Sequence, residues 1–578
     1  MTLSISRSSR FATLVAGLAI VVAACSPAAS TTPSSPASTG GAGTPAPSTS
    51  SYPAKAYPAD ADASCTDATL NASEFKRIKA VDEFTVEFDL CRADVAFLSK
   101  IAFASNAIQD SDWLTAHMAD KSILRSENGT GPYTLKSWDA GNRMDMTAFA
   151  GYWGNQARTA NLEFQWSDQA VSRTQALVAG TVDGIDNPGA EDIKAISGNS
   201  DLKFNQREGL STLYVGMNVL KAPWTDENVR KAIAMSIDRQ SLVDNFYPPG
   251  SSAADYFTPC AIPFGCVGDK WYDYDPAGAK TLLANAGFPD GFTTTLSFRS
   301  AVRGYLPDPP AIATAIAAQL KKNLNITATL DLQESGAFLS NAANGSIDGL
   351  YLLGWGADFP DVTNFLDYHF GSGSGAKFGK PFDDVAAALT TGGSSASDAD
   401  RTTAYTTANN AIKQHVPMAL VAHGGSGDAF KADVVGSYAS PIGSELFYVM
   451  SAGTRDTLVW MQNAEPLSLY CGDESDGETL RACEQMFESL YTYEIGGTKA
   501  IPSLATDCSP SADLTTWTCH LRQGAKFHQS GTLDANDVVD SLSLQWDTKN
   551  PLHVGNTGDF EYFPGLFGGY LNPPPPAS

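Results

Sequence analysis

A regular alternation of predicted strands and helices between Gly287 and Val435 constrains the fold more than any other feature of the chain. Short apolar runs alternate there with longer stretches whose apolar residues recur at helical spacing. Alternation of this kind favours an α/β fold, in which helices pack against a sheet. The predicted elements there are strands at 296–298, 326–332, 350–353 and 418–422 and helices at 311–323 and 397–416, and a further predicted helix at 276–286 precedes them.

The length and charge of the chain narrow its class. With 578 residues the chain is too long for one hydrophobic core, so we expect several domains. Hydrophobic residues make up 43% and charged residues 17%, which is an ordinary globular balance. The formal net charge of −25 disfavours nucleic acid, anionic lipid and phosphate as ligands. It suits a protein that binds neutral or cationic solutes.

The N-terminal residues predict export. Arg7 and Arg10 precede an apolar run from Phe11 to Ala24, which is typical of a secretory signal peptide. The run ends in Val-Ala-Ala-Cys at Cys25, which resembles a bacterial lipobox, so we assign 1–25 as a lipoprotein signal. An ordinary cleavage site beside a cysteine is the alternative. Residues 26–64 form a linker rich in Ser, Thr and Pro. We expect an extracytoplasmic protein anchored to the bacterial cell membrane through this lipid alone.

The cysteines agree with an oxidising compartment. Eight remain when Cys25 is set aside, and an even number in an exported chain favours disulfides. Eight cysteines allow 105 pairings, so the sequence does not fix the connectivity. Spacing suggests three local pairs and leaves a fourth: Cys260 with Cys266, Cys471 with Cys483, Cys508 with Cys519, and Cys65 with Cys91.

One predicted strand end carries a candidate binding pair. The apolar run 350–353 ends at small residues, which are followed by Trp355 and Asp358. A flat aromatic wall beside a carboxylate is suited to an ammonium group. The alternative is structural, since Asp is frequent in Pro-containing turns and Trp is frequent in cores.

No catalytic or metal centre is predicted. The run His423-Gly424-Gly425-Ser426-Gly427 brings a histidine and a serine together, but it lacks the Gly-x-Ser-x-Gly spacing of a nucleophile elbow. We interpret it as a glycine-rich turn. The histidines do not have zinc spacing, and no phosphate-binding glycine loop occurs. We therefore expect no enzyme activity, no cofactor and no resident metal. A cell-surface hydrolase or sensor is the alternative from another class.

Four groups of motifs, taken together and in this order, resemble the extracytoplasmic solute-binding proteins of peptide-type ABC importers, the oligopeptide- and dipeptide-binding family 5. The groups are 129–133 with 152–153, then 214–218 with 228–233 and 237–239, then 274–276 with 284–291, and finally 354–359. The resemblance implies a two-lobed type II periplasmic-binding-protein fold with an extra peripheral subdomain. It also implies a monomer that captures a small solute, most often a short peptide, and delivers it to importer permease subunits. Family members for nickel complexes, sugars or opines are the alternative.

The order of the motifs departs from the family. Its usual opening segment resembles residues 458–469, 483–490, 517–528 and 532–539 here, so the chain is expected to be circularly permuted. An unrelated C-terminal domain is the alternative. The resemblance implies these parts: a peripheral subdomain at 65–155 and 491–570, lobe one at 156–260 and 435–490, lobe two at 261–434, and a Pro-rich tail at 571–578.

The resemblance also implies ligand-binding residues. Asp358 is expected to meet the α-ammonium group of a peptide, and Trp355 and Phe359 are expected to line the pocket. The main chain from Tyr214 to Asn218 is expected to pair with an extended peptide by strand addition. Glu465 is expected to face the cleft, although a surface position is the alternative for it. The wall opposite Asp358 is expected near Glu465 and Phe487.

Overall fold

The structure is a computed structural model that describes residues 52–301, 303–372 and 374–574. Cys25, most of the predicted linker and the last residues of the Pro-rich tail lie outside the described residues. None of the helices among the described residues has the length and apolar character needed to cross a bilayer.

Strands form a large part of the described chain. In order they are β1 (Ala56–Tyr57), β2 (Phe75–Asp82), β3 (Thr85–Leu90), β4 (Tyr133–Asp139), β5 (Arg143–Ala148), β6 (Asn161–Trp166), β7 (Gly184–Asp186), β8 (Leu202–Arg207), β9 (Ser211–Gly216), β10 (Ser252–Ala253), β11 (Thr293–Phe298), β12 (Thr327–Leu332), β13 (Leu350–Gly356), β14 (Met418–His423), β15 (Ser426–Lys431), β16 (Thr457–Gln462), β17 (Tyr491–Tyr493), β18 (Ala500–Pro502), β19 (Ala505–Pro510) and β20 (Thr516–Leu521).

Helices cover the sheets. In order they are α1 (Phe97–Ile101), α2 (Ser111–His117), α3 (Ala170–Val178), α4 (Ala190–Ser197), α5 (Glu227–Ser236), α6 (Arg239–Phe246), α7 (Pro276–Asn285), α8 (Pro309–Leu324), α9 (Ser335–Ala343), α10 (Val362–Phe370), α11 (Asp383–Gly393), α12 (Asp398–His415), α13 (Gly477–Met486), α14 (Ala535–Trp546) and α15 (Tyr562–Phe567). Short 3₁₀ turns occupy Ala104–Asn106, Ser122–Leu124, Phe447–Val449 and Cys471–Asp473.

Asp238 divides one predicted helix into two. The sequence predicts a single helix from Asp226 to about Tyr247, and this prediction is wrong. Ile237 is extended, and the Asp238 carboxylate accepts a hydrogen bond from the backbone N–H of Ser241. Asp238 is therefore the N-cap of a new helix, which turns the chain between α5 and α6.

Lobe two is built on a six-stranded sheet with the order β10-β14-β9-β13-β11-β12. Strand β9 lies inside it and pairs antiparallel with β13 on one side and β14 on the other. The assignment of all of 156–260 to lobe one is therefore wrong, because 211–216 and 252–253 belong to this sheet. Helices α5 and α6 pack on it, and Trp224 and Ile233 are fully buried in its core.

Lobe one contains a seven-stranded sheet with the order β4-β5-β6-β16-β7-β15-β8. Strand β16 lies between β6 and β7 and runs parallel to both. Two more predicted bounds change as a result. The hairpin of β4 and β5, predicted in the peripheral subdomain, extends this sheet, and β15, predicted in lobe two, pairs with β7 and β8.

A five-stranded sheet, β1-β2-β3-β20-β19, joins early and late parts of the chain. β3 pairs antiparallel with β20, and α14 packs on β2. One hydrophobic cluster runs from this sheet into the seven-stranded one and includes Phe88, Phe164, Trp460 and Trp546. Lobe one therefore shares a core with its peripheral part.

In the part of the chain that the structure describes, four disulfide bonds crosslink loops and hairpins. They join Cys65 to Cys91, Cys260 to Cys266, Cys471 to Cys483, and Cys508 to Cys519. These are the pairs that the spacing suggests. Cys471–Cys483 ties helix α13 to the turn before it.

Candidate functional site

Two chain crossings connect the lobes. One runs from β8 through 208–210 into β9, and the other runs from β14 through Gly424 and Gly425 into β15. The crossings touch backbone to backbone, since a Cβ on Gly209 would lie 1.6 Å from the Gly424 carbonyl oxygen. Only glycine permits this approach. The glycine-rich run after His423 is therefore part of an interlobe connection.

His423 and Ser426 do not form a nucleophile–base pair. The His423 ring is buried, with its Nδ1 3.0 Å from Thr212 Oγ1 and 3.0 Å from the Ser211 carbonyl oxygen. Burial lowers the pKa of His423 to about 4. The Ser426 hydroxyl instead accepts a hydrogen bond from Arg207 Nη1 at 3.1 Å.

A cavity of about 380 Å³ opens between the lobes beside these crossings. Lobe two contributes the turn 356–360 after β13. Lobe one contributes the end of β7, the loop 441–444, helix α13 and Tyr562 of α15. The volume lies within the range of about 300–1,000 Å³ that is usual for small-molecule sites.

Asp358 and Phe359, which the sequence predicts to contribute to a binding pocket, both line this cavity. Asn364 holds the turn: its Oδ1 accepts the Asp358 backbone N–H at 3.0 Å, and its Nδ2 donates to Asp358 Oδ2 at 3.0 Å. Burial raises the pKa of Asp358, an effect that the Asn364 hydrogen bond opposes and nearby Glu561 increases. A cation reaching this carboxylate would relieve its desolvation.

Phe359 brings the two lobes into contact. Its side chain is 6% exposed and packs in the hydrophobic cluster of lobe one. The Lys100 ammonium of the peripheral part lies 5.7 Å from the centre of the Phe359 ring, while pairing with Glu74 at 3.0 Å and Asp94 at 2.9 Å. The position of the 356–360 turn is thus fixed from both sides of the cleft.

Trp355 lies behind the cavity wall and does not line the cavity itself. Its ring stacks on Tyr368 with 3.9 Å between ring centres, and its Nε1 donates to Asn364 Oδ1 at 3.1 Å. Trp355 therefore supports Asn364, which in turn orients Asp358. Its predicted contact with a ligand stays a prediction.

A closed cluster of two arginines and two carboxylates lies at the lobe-one wall, which three of its members, Asp186, Arg207 and Arg481, line. Arg207 Nη2 lies 3.1 Å from Asp186 and 2.7 Å from Glu445. Arg481 lies 3.0 Å from each of the same two carboxylates. All four side chains are buried. Although burial acts in the opposite direction, these two guanidinium groups hold the pKa of Asp186 below its usual range.

Tyr214, Asn218 and Glu465 do not line the cavity. Tyr214 is 2% exposed within the core of lobe two. The Asn218 amide donates to the Gly345 carbonyl and accepts from the Leu220 N–H. Glu465 accepts from Trp138 Nε1 at 2.9 Å and from the Gly141 N–H at 3.0 Å.

Most of the segment predicted for strand addition, Tyr214 to Asn218, has no free strand edge. Both edges of β9 are already paired, with β13 and with β14. The next N–H groups donate to carbonyls within the protein, Met217 to Pro417 and Val219 to Phe378. A ligand backbone therefore has no free edge along β9, and pairing of a ligand with the main chain of Asn218 stays a prediction.

Neither the arginine cluster nor Tyr562 is predicted from the sequence. Arg481 was detectable in principle, because it occupies a buried position of α13 beside Leu480 and Ala482. Asp186, Arg207 and Glu445 come from separate parts of the chain, and no local pattern links them. Among the described residues no group of three or more His, Cys, Asp and Glu side chains is placed to hold a metal.

Comparisons with known proteins agree with this two-lobed fold. A family model described as Bacterial extracellular solute-binding proteins, family 5 Middle, matches residues 38–377 and 499–561. The di/tripeptide-binding protein 1 of Pseudomonas aeruginosa (strain UCBPP-PA14) is 28% identical over 385 residues, which cover 65% of this chain and 71% of that protein.

Two further matches show the range of the similarity. The heme-binding protein A of Haemophilus influenzae (strain ATCC 51907 / DSM 11121 / KW20 / Rd) is 25% identical over 384 residues, covering 65% of this chain and 70% of that protein. The solved structure of HbpA2 from Haemophilus parasuis superposes with a TM-score of 0.62 and 26% identity, covering 66% of this chain and 76% of that one.

Proposed function

Because the chain belongs to the bacterial extracellular solute-binding proteins, family 5, we propose that it captures a short peptide with a free N-terminus and delivers it to the permease of an ABC importer. Proteins of this family are extracytoplasmic binding proteins of such importers and not enzymes. The observation that carries the peptide proposal is the Asp358 carboxylate on the wall of the interlobe cavity.

The charge of the cavity supports a cationic group at this position. Carboxylates outnumber guanidinium groups among the described lining residues: Asp186, Glu208, Asp358, Glu478 and Glu484 stand against Arg207 and Arg481. Both arginines are already neutralised by Asp186 and Glu445. The surplus negative potential attracts an ammonium group and orients a peptide that carries one.

Asp358→Asn tests the anchor. A hydrogen bond to a charged group contributes about 1.5–3 kcal/mol, so the variant is expected to bind Ala-Ala at least tenfold more weakly. It is expected to bind N-acetyl-Ala-Ala as the unchanged protein does. Titration calorimetry with both peptides measures the difference.

Asp290→Asn is the matched control, because Asp290 is exposed on lobe two and does not line the cavity. Equal losses for free and N-acetylated peptides in Asp358→Asn would remove the ammonium anchor. If no peptide of two to five residues binds the unchanged protein, whereas hemin or glutathione does, the solute belongs to another class.

A lipid anchor at Cys25 is part of the same proposal, and its support is the lipobox-like sequence ending at Cys25. Acylation of this cysteine would keep the binding protein at the membrane surface, close to the importer. Cys25→Ser is expected to move the protein from the membrane fraction to the soluble fraction of the cells. Retention in the membrane fraction would contradict the anchor.

A circular permutation of the family order is also proposed. It is supported by β16, which comes late in the chain but lies between β6 and β7. Segments near the two ends of the described chain also pair, since Asn71 bridges to Leu571 and the Ala72 N–H donates to the Tyr570 carbonyl. A chain rebuilt without residues 1–51, starting near 457 and with residue 574 joined to residue 52 through a linker, is expected to fold and bind the same solute. Failure to fold would argue against the permutation.

A further inference from the structure

A second cavity, of about 130 Å³, lies within lobe one. Its wall comes from the end of helix α13, the β17–β18 hairpin and the loop after α1. It shares two lining residues, Ala104 and Glu484, with the interlobe cavity. Glu484 therefore stands at the boundary between the two spaces.

The Glu484 carboxylate lacks a partner on one oxygen. Its Oε2 is shielded from solvent and has no hydrogen-bond partner within the described part of the chain. Glu488, four residues further on and beyond the end of α13, accepts hydrogen bonds from Thr130, Tyr152 and Trp153 at 2.8–2.9 Å. A buried carboxylate oxygen without a donor is costly, and a ligand that supplies the donor recovers that cost.

The rest of the second cavity suits an aliphatic chain with a cationic end. No lysine, arginine or histidine of the described chain lines it, so Glu484 meets no basic side chain inside. Aromatic rings form much of the wall, including Tyr152, Trp153, Tyr448 and Tyr491. Aromatic faces attract cations and pack against methylene groups. One water needs only about 10–15 Å³ of cavity, so several non-hydrogen atoms fit.

We propose that the second cavity is a subsite for a basic side chain of the captured solute, and that Glu484 pairs with its alkylammonium or guanidinium group. The inference rests on the proposed capture of peptides and adds a side-chain preference to it. Asp358 and Glu484 then divide the recognition, one for the N-terminal ammonium and one for the side chain.

Binding of Ala-Lys, Ala-Arg and Ala-norleucine tests this division, since norleucine keeps the methylene chain and removes the charge. The unchanged protein is expected to bind Ala-Lys and Ala-Arg about tenfold more tightly than Ala-norleucine. Glu484→Gln is expected to reduce this preference to less than twofold, because it weakens the binding of Ala-Lys and Ala-Arg more than that of Ala-norleucine. Titration calorimetry at pH 8 measures all three peptides.

Two further variants serve as a charge control and as a test of the second cavity. Glu494→Gln removes an exposed carboxylate from the neighbouring hairpin, outside both cavities, and is expected to keep the preference. Ala107→Leu fills the second cavity alone and is expected to abolish tight Ala-Lys binding while keeping Ala-Gly binding.

The outcomes separate the two proposals. Dipeptide binding without a basic preference, or a preference that survives both Glu484→Gln and Ala107→Leu, overturns the subsite and leaves peptide capture standing. Absence of binding for every dipeptide overturns peptide capture and the subsite with it.

Discussion

Two pairs of carboxylates near the cleft differ in how many hydrogen-bond and ion-pair partners the protein supplies. Asp186 and Glu445, the framework pair, each meet two guanidinium groups at 2.7–3.1 Å. Asp358 and Glu484, the open pair, are met less fully: Asp358 accepts a hydrogen bond from Asn364, and Glu484 keeps one oxygen without a hydrogen-bond donor among the described residues, although Arg481 is near enough to lower its pKa. Carboxylates that are paired with guanidinium groups of the protein stabilise the lobe. Carboxylates that can still accept hydrogen bonds are available to a cationic solute.

Glu445→Gln breaks the framework pair and is expected to have the largest effect. The substitution leaves Arg207 and Arg481 buried with one carboxylate between them. Removing one partner of a buried ion pair costs about 3–5 kcal/mol, because the remaining charge is uncompensated. We expect the free energy of unfolding to fall by about that amount, measured by urea denaturation at pH 7.

Glu561→Gln is the comparison variant for that measurement. Glu561 is exposed and near Asp358, so the loss of its charge is expected to change stability by less than about 0.5 kcal/mol. Equal effects of the two variants would show that the buried cluster does not stabilise lobe one.

The pH dependence of stability in Glu484→Gln tests whether Glu484 belongs to the open pair. Burial, with a further contribution from Glu445, raises the pKa of Glu484 from 4.5 to about 7, an effect that Ser444 and Arg481 oppose. A raised folded-state pKa means that the protonated form is favoured in the folded protein. The stability linked to it is full below pH 4.5 and is lost as the pH rises through about 7.

The variant stays neutral and does not suffer this loss. Its free energy of unfolding relative to the unchanged protein is therefore expected to rise by about 1–3 kcal/mol between pH 5 and pH 8. Urea denaturation across this range measures the rise. A constant difference would mean that Glu484 finds a partner in the folded protein and does not belong to the open pair.

The fold was predictable where neighbouring segments pair or pack. The two-lobed α/β class and the family were predicted from strand–helix alternation and motif order, and both are confirmed. The lobe bounds were not, because membership of a sheet depends on pairing between distant segments. Strand β9 follows lobe-one strands in sequence yet pairs with β13 and β14. No local propensity encodes that choice.

The site was predictable only in part, for a related reason. Asp358 and Phe359 belong to one turn, so a single motif was enough to predict that they line the cavity. The arginine cluster joins positions as far apart as Asp186 and Arg481, and only the tertiary structure brings these charges together. The resemblance places Glu465 at the cleft, but a motif does not reveal that its carboxylate already accepts hydrogen bonds from Trp138 and Gly141.

Glu465→Gln gives the smallest expected effect and tests this last point. The carboxylate already accepts from Trp138 and Gly141, which lie on and beside the β4–β5 hairpin. The amide keeps one acceptor, so stability is expected to fall by about 1 kcal/mol or less. Ala-Ala affinity is expected to stay within twofold by calorimetry, in contrast to Asp358→Asn. A tenfold loss in Glu465→Gln would place Glu465 with the open pair and extend the solute contact toward the hairpin.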